Sequence, residues 1–288
     1  MSQLLGVAML IYLGVAIILI IAELWSSPLM QRAGRGLLWV GLALQSGALI
    51  GRWYVSYQMA ARGTPPPFFL DKLRLIIFQA PLSNYYDSLV FFSWCLPAMG
   101  LLAFRRYLRG WLGAIVAMLA CLLLAKASFG GVNANIQPLM PALKSNWLLI
   151  HVVVCFFGYA ALTVAFGAAL LYLIQDYSPK GPLRALPALP LLDRLIYRAA
   201  ILGFFLLTFG ILTGAVWAET AWGKYWSWDP KEVASLVTWL IYAALLHARL
   251  LKGWQGRRIA WLAVLGFLAI IFTYFGVNYL QSMHAYMT

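Results

Sequence analysis

The chain has 288 residues, of which 64% are hydrophobic and only 10% charged. A soluble domain of this size carries roughly 25% charged residues, so the composition excludes one. The net charge of +13 would suggest nucleic acid in a soluble chain, but here the basic residues collect in alternate connectors, as a membrane topology requires.

Apolar runs long enough to cross about 30 Å of hydrocarbon recur along the chain. They predict eight spans at 4–24, 37–58, 85–104, 111–129, 146–174, 199–218, 233–250 and 259–281. The fold class is therefore an all-α polytopic membrane protein, read as one integral membrane domain over 1–288. The first run lacks a basic flank and exceeds a signal h-region, so it is expected to be a retained span.

Between the second and third spans lies an outer connector, 60–84, that opens on Thr64-Pro65-Pro66-Pro67 and must run extended there. Leu70, Leu73, Ile76 and Ile77 then share a helical face opposite Asp71, Lys72 and Arg74, which predicts a short interfacial helix. Asn84, with Asp87 three residues on, is a start signal for the third span. The inner connector 175–198 holds Pro179, Pro182, Pro187 and Pro190 and is expected to be a tether without chemistry. The three cysteines, Cys95, Cys121 and Cys155, sit in apolar runs without a CxxC pair, which predicts small buried hydrophobes and no disulfide framework.

Orientation follows from the connectors. One set carries Arg32, Arg35, Arg105, Arg106, Arg109, Lys180, Arg184, Arg194, Arg198, Arg249, Lys252, Arg257 and Arg258; the other carries Arg62, Lys72, Arg74, Lys144, Lys224 and Lys231. The first set is assigned to the cytoplasm. Both termini, and the loop between the sixth and seventh spans, then face outward.

That loop, "WGKYWSWDPKE" from Trp222 to Glu232, contains Trp222, Trp226 and Trp228. Asp229-Pro230-Lys231-Glu232 has the grammar of a helix start: Asp caps, Pro fits the first position, and Glu favours the positive dipole end. Trp222 and Trp226 would share a face if the stretch were helical. An aromatic belt places rings at headgroup level. It does not need four tryptophans in the twelve residues from Trp217 to Trp228. A platform for a large flat ligand explains that density better, with Lys224 and Lys231 near enough to meet carboxylates on its rim.

Three histidines complete the set. His151 lies about 8 Å inside the outer end of the fifth span, and His284 follows the last span, so both stand level with the tryptophans. Each alone reads as a hydrogen-bonded interfacial residue; together, beside an aromatic bed, they match an axially ligated porphyrin. His247 lies about 21 Å below Val233, toward the cytoplasmic end. It is either a neighbour of Arg249 at the inner interface or a second ligand contact.

With these residues in hand, the chain resembles the CcsA/ResC family of system II cytochrome c biogenesis, in the tryptophan-rich haem-handling ("WWD") superfamily. The match runs from Thr213 to Arg249, "TGAVWAETAWGKYWSWDPKEVASLVTWLIYAALLHAR", joining a WGxxWxWDPKE signature to LHxR. "NWLLIHVVVCFFGYA", "GVNYLQSMHAY" and "LSNYYDSLVFFSW" resemble further family segments. The chain departs from the family at Met283 and Ala285, which flank His284, and residues 1–80 match in hydropathy alone.

The resemblance implies that His151 and His284 are axial ligands of a non-covalently held haem b on the outer side. It places that haem on the segment with Trp222, Trp226, Trp228 and Asp229, near Lys224 and Lys231. His247 would belong to the path by which haem arrives. The implied partners are a CcsB/ResB-type membrane subunit, an apocytochrome c CxxCH segment and a thiol-reducing membrane protein, with no nucleic acid. The implied activity is a subunit's part in a cytochrome c synthase, acting mainly by positioning haem, with no side chain assigned as general acid or base. The expected location is a bacterial plasma membrane, with a thylakoid membrane as the alternative. Competing readings are a haem exporter or chaperone of the CcmC type, a b-type electron-transfer protein and a substrate transporter. Three histidines, two of them outside, cannot alone ligate two haems stacked across a membrane. Broken inner helices with charged centres, expected of a transporter, are absent from the sequence.

Overall fold

The structure is a computed structural model that describes residues 2–63, 67–82, 84–136, 143–177 and 186–280. Among them are nine α-helices and no strand: α1 (Ser2–Leu24), α2 (Pro28–Gly63), α3 (Phe69–Phe78), α4 (Tyr85–Ala103), α5 (Gly110–Phe129), α6 (Asn146–Tyr177), α7 (Leu189–Trp222), α8 (Pro230–Leu251) and α9 (Arg257–Tyr274). A 3₁₀ turn, Gly276–Tyr279, follows α9. Eight of the helices, all but α3, are long and apolar enough to cross a membrane.

Helix α6 is the axis. It packs most extensively on α7 and also meets α4, α5 and α9, while α1 sits between α2 and α5, and α8 touches α7 and α9. Its inner run Ala160, Ala161, Leu162, Thr163, Val164, Ala165, Ala168 and Ala169 is buried. Lipid tails are as apolar as side chains, so such helices associate through close packing and internal hydrogen bonds. Small residues supply the first. Buried polar chains supply the second: Tyr12 Oη donates to Gln45 Oε1 at 2.7 Å. Gln45 Nε2 in turn donates to the Val90 carbonyl at 2.9 Å and to Ser93 Oγ at 2.5 Å.

The bundle's two ends segregate as the connectors predict. At one end Gln31 donates to Glu23 at 2.8 Å and accepts from the Gly110 N–H at 2.9 Å. At the same end Arg198 donates to Tyr107 Oη at 3.1 Å, and Asp193 holds both Arg249 and the Gly256 N–H at 2.8 Å. This is the end rich in basic residues, expected to be cytoplasmic and so termed the inner end. At the other end Asn84 Oδ1 caps α4 by accepting the Asp87 N–H at 2.8 Å, as its position predicts. Helix α3 docks there through Trp53 Nε1 to the Ile76 carbonyl, 2.5 Å, and Ser56 Oγ to Gln79, 2.8 Å. It leaves Leu70, Leu73 and Ile77 exposed, as an interfacial helix would.

Several expected boundaries move. Helix α7 starts at Leu189, ten residues before the expected span, so 189–198 is helix and not tether. Pro190 sits in its first turn, where a missing N–H costs nothing and the fixed φ suits a helix. Arg32 and Arg35 lie on α2, which starts at Pro28 and runs to Gly63, and so do residues 60–63 of the expected outer connector. Residues 64–66, Ser83 and 178–185 lie outside the described residues.

Arg52 is a cation inside the second span. Its guanidinium pairs with Asp87, donates to the Ala134 carbonyl at 2.9 Å and lies 4.7 Å from the Tyr86 ring centroid. The pair ties α2, α4 and the α5–α6 connector together at the outer end. Removing one partner strands the other as a buried charge. Asp87→Ala is therefore expected to cost about 3–5 kcal/mol, read as a lower unfolding midpoint in detergent. The double replacement Arg52→Met/Asp87→Leu is expected to recover most of that loss; equal loss in single and double variants would contradict it.

Candidate functional site

Three elements meet at the outer end: the start of α6, the end of α7 with its loop to α8, and the end of α9. Helix α7 stops at Trp222 because Gly223 adopts φ 72° and its N–H closes on the Glu219 carbonyl at 2.7 Å. That left-handed turn is one that glycine enters without steric cost. Helix α8 begins at Pro230 with a capping box: the Lys231 N–H donates to Asp229 Oδ1 at 2.9 Å, and the Asp229 N–H donates to Glu232 Oε2 at 3.2 Å. Glu232 also accepts from the Ser227 N–H at 2.8 Å and Ser227 Oγ at 3.1 Å. The two buried carboxylates thus pin the loop onto α8, the structural role their positions predict.

Pinning separates the tryptophans. The stretch from Gly223 to Asp229 is not helical, so Trp222 and Trp226 do not share a helical face. The rings pair locally instead. Trp217 and Trp222 lie 4.8 Å apart at 64°, and Trp226 and Trp228 lie 5.9 Å apart at 89°, both edge-to-face. Trp228 takes φ 61° and is 72% exposed. A bulky residue rarely holds that backbone, and does so only where its surroundings over-determine it.

His151 faces this loop from α6. Its ring lies 6.3 Å from that of Trp217 at an interplanar angle of 15°. Its Nδ1 lies 2.7 Å from the Gly210 carbonyl oxygen on α7 and 3.6 Å from Cys155 Sγ. A carbonyl only accepts, so Nδ1 carries a proton, which in the neutral form of the ring puts the lone pair on Nε2. The same carbonyl accepts from Thr213 Oγ1 at 3.2 Å.

A cavity of about 110 Å³ opens beside the imidazole, lined by His151, Cys155 and Tyr159 of α6, Gly214 of α7, Tyr225 and Trp226 of the loop, Lys231, Glu232 and Ser235 of α8, and Thr273 and Tyr274 of α9. Mostly apolar walls with a few convergent polar groups are the usual form of a small-molecule site. Of the expected site residues, His151, Trp226 and Lys231 converge here. Trp222 stands behind them against Trp217, Asp229 is engaged as a cap, and Lys224 and Trp228 point to the exterior. His284 lies outside the described residues. His247 is exposed at the inner end of α8, on the outward stripe with Val233, Val237, Leu240 and Leu251.

A family model described as "Cytochrome C assembly protein" matches residues 82–284. The chain belongs to that family. Similar relatives include "Cytochrome c biogenesis protein CcsA" of Chlamydomonas reinhardtii, 45% identical, with 72% of this chain and 60% of the relative covered. The protein of the same name from Gloeobacter violaceus is 34% identical, with 90% of this chain and 87% of the relative covered. The latter match exceeds the family segment and so reaches into the helices before residue 82. Among solved structures, "Cytochrome c Heme Lyase CcmF" superposes with a TM-score of 0.68 at 20% identity, covering 95% of this chain and 45% of that one. At that identity the likeness shows a shared fold.

Within this family fold the site includes residues the sequence reading did not single out. Cys155 and Tyr274 line the cavity, yet both lie in unbroken apolar runs that predict only small or bulky hydrophobes. Gly210 and Gly214 carried a usable signal: a GxxxG pair inside a span marks a close helix approach. Glu232→Ala removes the acceptor of three loop donors. It is expected to ease local opening by about 1–3 kcal/mol, or roughly 5- to 150-fold. Trypsin should then cut after Lys224 faster than in the parent by that factor; an unchanged rate would show that Glu232 does not hold the loop.

Proposed function

We propose that this chain, a membrane protein of cytochrome c biogenesis, holds haem b non-covalently at its outer end and presents it for covalent attachment to apocytochrome c. The observation that carries the reading is the fixed tautomer of His151: Nδ1 is engaged by the Gly210 carbonyl, so the nitrogen with the lone pair is the one a metal requires. The chemistry of the surrounding residues supports the reading. Trp226 and Tyr225 offer flat apolar surface, and Lys231 is a cation at the cavity wall. His284 is the second ligand that the family resemblance implies; Tyr274, ten residues before it in the chain, forms part of the cavity wall.

In this reading the chain's residues bind and orient. The imidazole of His151 holds the iron, and the capping box keeps Trp226 in place. Lys231 neutralises a rim carboxylate. Haem supplies two vinyl groups, and each acceptor thiol adds S–H across one of them, forming one S–C and one C–H bond without consuming an oxidant. No general acid or base from the chain is required, so positioning is its contribution. A thiol-reducing membrane protein is proposed to keep the acceptor cysteines reduced.

His247 is proposed to meet haem on its way from the cytoplasmic side. Its exposure on an otherwise apolar outward stripe of α8 supports a membrane subunit of the CcsB/ResB type covering that face, because an imidazole is costly against lipid. The proposed setting is a bacterial plasma membrane, with the site extracytoplasmic.

The test is the spectrum of the complex purified from membranes. The parent is expected to show low-spin bands of a bis-imidazole haem. His151→Gly should lose them, and added imidazole should restore them. Coexpression with a CxxCH acceptor should give covalent product with the parent and at least tenfold less with His151→Gly, the size expected when a metal's binding shell is disturbed. A parent spectrum unaltered by His151→Gly would overturn the assignment, and haem release without covalent product would point to an exporter.

A further inference from the structure

Gly210 and Gly214 lie one turn apart on α7, directly opposite Cys155 and His151, one turn apart on α6. A Cβ at Gly214 would stand 2.6 Å from His151 Nδ1 and 2.7 Å from Cε1. Those atoms belong to a rigid ring close to Trp217, so the ring, and not a flexible chain end, would have to move. A Cβ at Gly210 would run into Cys155 Sγ, which in turn lies 3.6 Å from the same Nδ1. The glycine positions therefore do two things. They bring the Gly210 carbonyl within 2.7 Å of the imidazole, and they leave a slot one ring wide.

We infer that the Gly210–Gly214 turn of α7 is a positioning element for the haem ligand: it fixes the rotamer and tautomer of His151 and strengthens that imidazole as a donor. The inference rests on the haem reading above and deepens it. A hydrogen bond from Nδ1–H to a carbonyl makes the opposite nitrogen more basic, and such partners of a ligating histidine typically govern metal affinity by 10- to 100-fold. A more basic ligand also favours ferric over ferrous iron, so this contact lowers the reduction potential of the bound haem. Neither effect follows if Gly214 serves only to let two helices touch.

The experiment uses the full chain in its membrane complex, purified with its haem. Gly214→Ala is compared with the parent, with His151→Gly, and with Gly47→Ala, a helix-interior glycine with nothing within 4 Å of its added Cβ. Gly214→Ala is expected to retain haem about 10- to 100-fold less tightly, with a reduction potential shifted positive. Imidazole should restore its low-spin bands, and Gly47→Ala should match the parent. Should Gly214→Ala fail to fold, Gly210→Ala decides. Alone it should shift the potential in the same direction, by pressing Cys155 on the ring, and Gly210→Ala/Cys155→Ala should return it. A folded Gly214→Ala with parental retention and potential, beside a His151→Gly that loses its bands, would overturn the positioning role and leave the haem reading standing. If His151→Gly also keeps its bands, the haem reading itself fails.

Discussion

The close approach of α6 and α7 is the constraint on which the other features of the site depend. Between Gly158 and Gly203 the two backbones nearly touch: a Cβ on Gly158 would lie 3.2 Å from the Leu207 nitrogen, and one on Gly203 would lie 3.1 Å from the Gly158 carbonyl oxygen. Over the next two turns outward the seam admits Cys155 and then His151. In lipid no hydrophobic term pulls helices together, so such contact relies on dispersion and on the absence of side chains in the way. A larger residue at any of these glycines would separate the helices and with them the imidazole from the carbonyl that orients it.

Around that seam, buried polar side chains pair with one another inside the bundle, as a membrane favours. Besides the Tyr12–Gln45–Ser93 chain within the bundle, polar clusters at the two ends hold the connectors: Gln31 and Asp193 at the inner end, Arg52 and Glu232 at the outer. The consequence for function is rigidity where it is needed. The tryptophan loop has no regular structure of its own, yet its ends are fixed by the αL turn at Gly223 and by the carboxylates of Asp229 and Glu232. A strained Trp228 persists on such a loop because both flanks are tied down. The loop therefore presents aromatic surface to the cavity and to the exterior at once, which suits the proposed holding of haem while a second reactant approaches.

Much of this was legible in the sequence. Spans declare themselves through run length, so all eight appear, and Asp229-Pro230-Lys231-Glu232 announces a helix start through chemistry that acts within one turn. Local signals of that kind survive folding. What escaped was relational. Whether Trp222 and Trp226 share a face depends on the backbone of Gly223, and glycine permits both answers. Pro190 reads as part of a tether because a proline-rich stretch looks the same whether or not a helix starts on its last member. Arg52 lay unnoticed inside a span, although a charge in hydrocarbon always implies a partner. The GxxxG pair announces a close helix approach, but which side chain Gly210 meets is not legible in its own segment, since His151 lies 59 positions away.

The most direct test is an experimental density map of the haem-loaded complex. Iron bonded to His151 Nε2, with Nδ1 within hydrogen-bonding distance of the Gly210 carbonyl and Trp226 beside the macrocycle, is the expected result. Haem seated elsewhere in the bundle, or an imidazole turned away from α7 with its ring nitrogens toward lipid, would contradict it.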